Sequence, residues 1–81
     1  MKASIEISMY PLNKDYGNII LDFIKRLHQY PNLRIETNSM STQIFGEYDE
    51  LMTVMQKDMK ISFDRGEAIV TVMKVVNMEL G

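Results

Sequence analysis

In the stretch "SIEISMY" (residues 4–10), Ile5, Ile7 and Met9 fall on one side and Ser4, Glu6, Ser8 and Tyr10 on the other. This period of two predicts a half-buried strand over residues 3–10. Pro11 ends it, and "PLNKDYGN" reads as a loop rich in turn-forming Asn, Asp and Gly. From about Asp15 to Tyr30 the period lengthens. Ile19, Ile20, Phe23, Ile24 and Leu27 recur at helical spacing, with Asp22, Lys25, Arg26 and Gln29 opposite, until Pro31 stops the helix. Alternation returns in "NLRIETNSM", where Leu33, Ile35 and Thr37 oppose Arg34, Glu36 and Asn38. "NSM" is short enough to be a hairpin connection into "STQIFGEY". In that strand Thr42, Ile44 and Gly46 share the core side, and Ser41, Gln43 and Phe45 the other. "YDELMTVMQKDMK" predicts a second amphipathic helix with Leu51, Met52, Met55 and Met59 inward. Asp49 and Glu50 in its first turn and Lys57 and Lys60 in its last suit the helix dipole. After "SFDRGE", the β-branched run "AIVTVMKVV" predicts a last strand.

The order strand–helix–strand–strand–helix–strand gives two right-handed strand–helix–strand units joined by a hairpin. The expected fold is α+β: a ferredoxin-like βαββαβ sandwich, one domain over residues 1–81, whose four-stranded antiparallel sheet carries both helices on one face. Strands one and three are central. The other face then displays Ser4, Glu6, Ser8, Tyr10, Arg34, Glu36, Asn38, Ser41, Gln43 and Phe45. Beside them runs a last strand that is apolar on both sides, with Thr71 the exception. Such a strand is normally covered on both sides, so the helix-free face is expected to pack against a second copy of the sheet, as a dimer or tetramer. Covered in this way, Glu6 and Glu36 need partners: Arg34, Lys74, donors from the second chain, or a ligand carrying N–H groups.

Composition narrows the chemistry. The chain has 81 residues, net charge −2, eight Met and no Cys, which excludes a disulfide scaffold, a thiolate metal site and a Cys nucleophile. Lys and Arg are scattered, so nucleic acid is not expected as a partner. No apolar run approaches the ~20 residues that span a bilayer, and the amino terminus lacks a signal-peptide core, so a cytoplasmic protein is expected. Eight Met suggest an adaptable interior or an apolar surface that meets a partner. The single His28 near the end of the first helix suits a capping or surface role. Phosphate-cradling Gly-rich loops and Ser–His–Asp spacings are missing. The acylphosphatase variant of this fold needs an Arg in the loop after the first strand, where this chain offers only Lys14. The metal-chaperone variant needs paired Cys. A Glu6–Glu36 pair resembles an acid/base couple, but nothing places a scissile bond between them. The expectation is a binding protein, not an enzyme, with no cofactor and no metal.

Two segments carry a family resemblance. "EISMYPL" (6–12) and "ETNSMSTQIFGEYDEL" (36–51) resemble the YkoF-like proteins, which bind thiamine and its hydroxymethylpyrimidine precursor. The shared features are Ser8-x-Tyr10-Pro11 closing the first strand, Ser41-Thr42 in the hairpin, and Ile44-x-Gly46 before the second helix. Met40-Ser41-Thr42 loosely matches a branch whose hairpin reads Met-Gly-Thr. The resemblance implies ferredoxin-like domains paired through their sheets and a non-catalytic ligand role. An aminopyrimidine offers a ring nitrogen, an amine donor and a flat face, and thiamine adds a cationic thiazolium. Glu6, Ser8, Asn38, Ser41 and Thr42 are the expected polar contacts, and Tyr10, Met40 and Phe45 the walls. Glu36 is a further acceptor, Thr42 on the core-facing parity has the backbone as its alternative partner, and Gln43 stands where the family usually has a small or aliphatic residue. Two alternatives use the same fold: an amino-acid-sensing module of the ACT type, and an assembly protein whose sheet face is interface alone.

Overall fold

The computed structural model describes residues 1–12, 14, 16–65 and 68–81. Its elements are β1 (Lys2–Pro11), α1 (Tyr16–Leu27), β2 (Arg34–Thr37), β3 (Thr42–Glu47), α2 (Tyr48–Phe63) and β4 (Ile69–Val76). The sheet is antiparallel throughout, in the order β2-β3-β1-β4, so the first and third strands are central. This is the ferredoxin-like α+β fold that the periodicity predicts.

Alternation in β1 sends Ala3, Ile5, Ile7 and Met9 into the core between sheet and helices. They meet Phe23 and Leu27 of α1, Ile44 of β3, and Leu51, Val54 and Met55 of α2. Burying each of the larger side chains stabilises the fold by about 1.5–3 kcal/mol, which makes this cluster the main source of stability.

The helix boundaries differ from the predicted ones. α1 ends at Leu27 rather than Tyr30: the amides of Gln29 and Tyr30 bond the carbonyls of Arg26 and Leu27, three residues back, tightening the chain out of the helix before Pro31. Tyr16, Gly17 and Asn18, where the predicted loop and the predicted helix overlap, are helical, whereas Asn13 and Asp15 of that loop, with the predicted helix start at Asp15, and Gly66 and Glu67 lie outside the described residues. α2 runs on to Phe63, which leaves Lys60 in its last turn and Lys57 before it.

The inward stripe of α2 also shifts. Leu51, Val54, Met55, Asp58 and Ser62 are its buried residues, while Met52 and Met59 are only partly covered. Asp58 faces α1, where it accepts from Arg26 Nε at 3.0 Å and from the Tyr30 hydroxyl at 2.7 Å. Arg26 Nη2 also reaches the Asp58 carbonyl at 2.9 Å and Ser62 Oγ at 2.6 Å. Arg26 therefore belongs to the helix–helix contact, not to the solvent face predicted for it. The hydrogen bond to Asp58, with partial desolvation, holds the Tyr30 hydroxyl above the usual tyrosine range.

Candidate ligand-binding site

Strand register sorts the helix-free face into rows. Arg34, Phe45, Ser4 and Val76 form one row; Glu36, Gln43, Glu6 and Lys74 form the next. Ser8 pairs with Val72 and Tyr10 with Val70 farther along β1. Both carboxylates have the partners that their position demands. Arg34 Nη1 lies 2.7 Å from Glu36 Oε1, and Lys74 Nζ lies 3.6 Å from Glu6 Oε1.

One end of this face is covered by the chain itself. After β4 the segment 77–81 crosses back over Ser4, whose hydroxyl donates to the Met78 carbonyl at 2.7 Å and accepts from the Leu80 amide at 2.9 Å. Arg34 stacks on the Phe45 ring at 3.9 Å and also fills the space beside Gly81. Phe45 is consequently buried, although it points away from the helices. A small cavity of about 200 Å³ remains here, lined by Glu6, Gln43, Phe45, Lys74, Val76 and Leu80 among others.

The other end opens into a cleft of about 370 Å³ between the end of β1, the β2–β3 turn and α1. Ser8, Tyr10, Asn38, Met40 and Ser41 line it, with Ile20 of α1. The turn is built by Asn38. Its Oδ1 accepts from the amides of Met40 and Ser41 at 2.8 and 3.0 Å, an Asx turn that the residue's short amide favours. Ser8 Oγ donates to the Met40 carbonyl at 3.3 Å, tying the turn to β1. Met40 itself is 84% exposed at the mouth.

The eight residues singled out in the sequence therefore divide among three places. Ser8, Tyr10, Asn38, Met40 and Ser41 share the cleft, and Glu6 and Phe45 line the small cavity. Thr42 is buried on the core side, and its Oγ1 lies 3.3 Å from Thr37 Oγ1, so its partner is a side chain rather than the backbone. One hydrogen bond links the two linings: Ser41 Oγ, on the cleft side, donates to Glu6 Oε2, on the side of the small cavity, at 3.2 Å. Ile20 and Leu80 had no functional signal in the sequence. Ile20 belongs to an ordinary helical stripe, and "NMELG" (77–81) has no period.

Over residues 5–78 the chain matches the family of thiamine-binding proteins. It belongs to that family. The match takes in both the cleft and most of the small cavity. Solved structures agree on the fold. A Streptococcus pneumoniae protein superposes with a TM-score of 0.89 at 24% identity, over 99% of this chain and 90% of its own. A Thermotoga maritima protein provisionally assigned to thiamine biosynthesis or salvage gives 0.85 at 16% identity, over 96% and 85%. A domain of unknown function from Bacillus cereus gives 0.77 at 23%, over 99% and 79%. No curated protein matches this member of the family. Among its described residues no helix is long and apolar enough to cross a membrane, and no group of three or more His, Cys, Asp or Glu is placed to hold a metal.

Proposed function

We propose that this protein binds thiamine or its hydroxymethylpyrimidine precursor without transforming it, in the cleft beside the helix-free face of a homo-oligomer. One observation carries the reading: the family match runs through a cleft that gathers five of the eight residues expected to meet the ligand. Its volume of about 370 Å³ lies within the usual range for small-molecule sites, roughly 300–1,000 Å³. The aminopyrimidine edge would meet the hydroxyls of Ser8 and Ser41 and the Asn38 side chain, and Tyr10 and Met40 would cover its face. The proposed setting is the cytoplasm, with the uncovered part of the sheet face closed by a second copy.

Thermal melting and calorimetry with thiamine, hydroxymethylpyrimidine and a panel of amino acids test this. At 100 times its dissociation constant the true ligand stabilises the fold by about 2.7 kcal/mol. Ser8→Ala should weaken binding of the pyrimidine by about two- to tenfold, the worth of one neutral hydrogen bond. Stabilisation by an amino acid alone would move the protein to the ACT-like class. No shift with any compound would leave a sheet face that serves assembly only.

A further inference from the structure

The sheet ends in two unlike edges. On one side β2 has only four residues, two of them the ion-paired Arg34 and Glu36. Short length and charge are the ordinary defences of a strand edge against pairing with another chain. On the other side β4 runs for eight residues, "IVTVMKVV", with no proline or glycine and one charge, Lys74. It pairs with β1 residue for residue from Ile69 to Val76, so no bulge bends it away. The Leu12 amide bonds the Ala68 carbonyl at 2.9 Å across these two segments. Antiparallel pairs alternate, so Val70, Val72 and Lys74 turn their backbone groups to β1, and Ile69, Thr71, Met73 and Val75 turn theirs outward. No strand among the described residues takes those outward groups. Val70, Val72 and Val75 are exposed beside them. Met52 and Met59 of α2, with Met73 of β4, line a groove of about 520 Å³ between the helix and this strand.

We propose that β4 is an assembly edge whose occupant is β4 of a second copy, paired antiparallel about a twofold axis. The two sheets then join into one. A second copy fits because the edge complements itself: donors meet acceptors, apolar side chains meet apolar ones, and only Lys74 brings a charge. Two registers match outward groups to outward groups over nearly the whole strand, one centred on Val72 and one on Met73. The first keeps the two Lys74 side chains about 13 Å apart along the strands and the second only about 7 Å, so like-charge repulsion selects the first. It sets Thr71 opposite the partner's Met73, Ile69 opposite the partner's Val75, and Lys74 opposite the partner's Val70. The strand edge supplies the hydrogen bonds. Val75 and the Met-lined groove add apolar area toward the roughly 800 Å² that a stable interface takes from each partner. Flexible thioethers close readily on an incoming strand. This interface is separate from packing on the helix-free face and stands whether or not the cleft binds a ligand.

The test is amide hydrogen exchange read by NMR, with light scattering, on the wild type and Val75→Pro. Proline removes one outward amide, and an edge strand tolerates it where that amide faces solvent, so the variant should keep its melting transition. The Thr71 and Met73 amides of the wild type should exchange at least about tenfold more slowly than in Val75→Pro. Those of Val70 and Val72, bonded to β1, should differ by less than about twofold. Losing one twofold interface should also halve the mass of the assembly. If Val75→Pro loses its melting transition, Val75→Lys takes its place, setting a charge opposite the partner's Ile69. Fast exchange at Thr71 and Met73 in an assembled wild type would show that the copies meet elsewhere and overturn the proposal. Slow exchange that persists in the variant at unchanged mass would trace the protection to the protomer itself, with the same result. A wild type that stays monomeric at hundreds of micromolar would also sink it.

Discussion

Gly46 shows how one residue positions the site. A Cβ built on it would lie 2.8 Å from Leu33 Cδ2, closer than packed side chains come, with the Asn32 carbonyl next at 3.6 Å and Leu51 Cδ2 at 3.9 Å. Leu33 and Leu51 are both buried, so neither can move aside without disturbing the core. The glycine therefore lets the turn before β2 close onto β3, and β3 carries Gln43 and Phe45 to the helix-free face. Gly46→Ala should destabilise the protein by about 1–3 kcal/mol through this overpacking, read as a lower urea midpoint at unchanged slope. A change below about 0.5 kcal/mol would mean that Leu33 yields freely. Ligand affinity of the folded fraction should hold, because Gly46 touches neither cavity. The glycine was visible in the sequence as part of Ile44-x-Gly46, but its reason was not. Leu33 lies thirteen positions earlier, and only the sheet brings the two together. Thr42 is the converse case: its core-side parity was legible from alternation, and its burial follows from that parity alone.

At the scale of elements, alternation fixed the strands and their order, because a period of two leaves few ways to bury Ile5, Ile7 and Ile44 together. The helix pair was less legible. Arg26 read as a solvent residue, and Asp58 and Ser62 carried no signal, since a polar side chain gives no sign of a partner on another helix. Yet Asp58 is almost wholly buried and takes donors from both Arg26 and Tyr30. A buried carboxylate that loses a donor costs about 1–3 kcal/mol, so Tyr30→Phe should lower stability by that amount at neutral pH. The alkaline limb gives a sharper test. The Tyr30 hydroxyl is held above its ordinary value of 10.0 by donating to Asp58. A proton bound more tightly in the folded state stabilises fully below the unfolded value and is lost as pH rises through the folded one. The stability gap between wild type and Tyr30→Phe should therefore be constant up to about pH 9 and shrink above about pH 10. A gap that persists unchanged at the highest pH would show that Tyr30 acts by packing alone.

For the whole molecule, the helix-free face is half closed and half open. The segment 77–81 shields Ser4 and Phe45 at one end, which the sequence did not disclose because this segment has no period and its anchor is one serine hydroxyl. At the other end Val70 and Val72 remain 49% and 50% exposed, beside Tyr10 at 53% and Met40 at 84%. The register places Val70 opposite Tyr10 and Val72 opposite Ser8, so the open apolar strip adjoins the cleft proposed for the ligand. A second copy laid on this strip would bury the valines and close the cleft's mouth at once. Sheet packing of this kind needs on the order of 800 Å² from each partner, more than the valine strip offers, so Met40 and Tyr10 must take part. Oligomerisation and ligand binding should then be coupled. Light scattering of the wild type at tens of micromolar is expected to give a dimer or larger. Val70→Lys with Val72→Lys should give a monomer that keeps its melting transition, because both side chains point into solvent within one protomer. That monomer should bind the pyrimidine at least tenfold more weakly, its cleft being left open on one side. A wild-type monomer would remove the second copy from the site and leave the ligand to be held by one chain. A double variant that is monomeric yet binds at full strength would show that the cleft is complete within a single protomer.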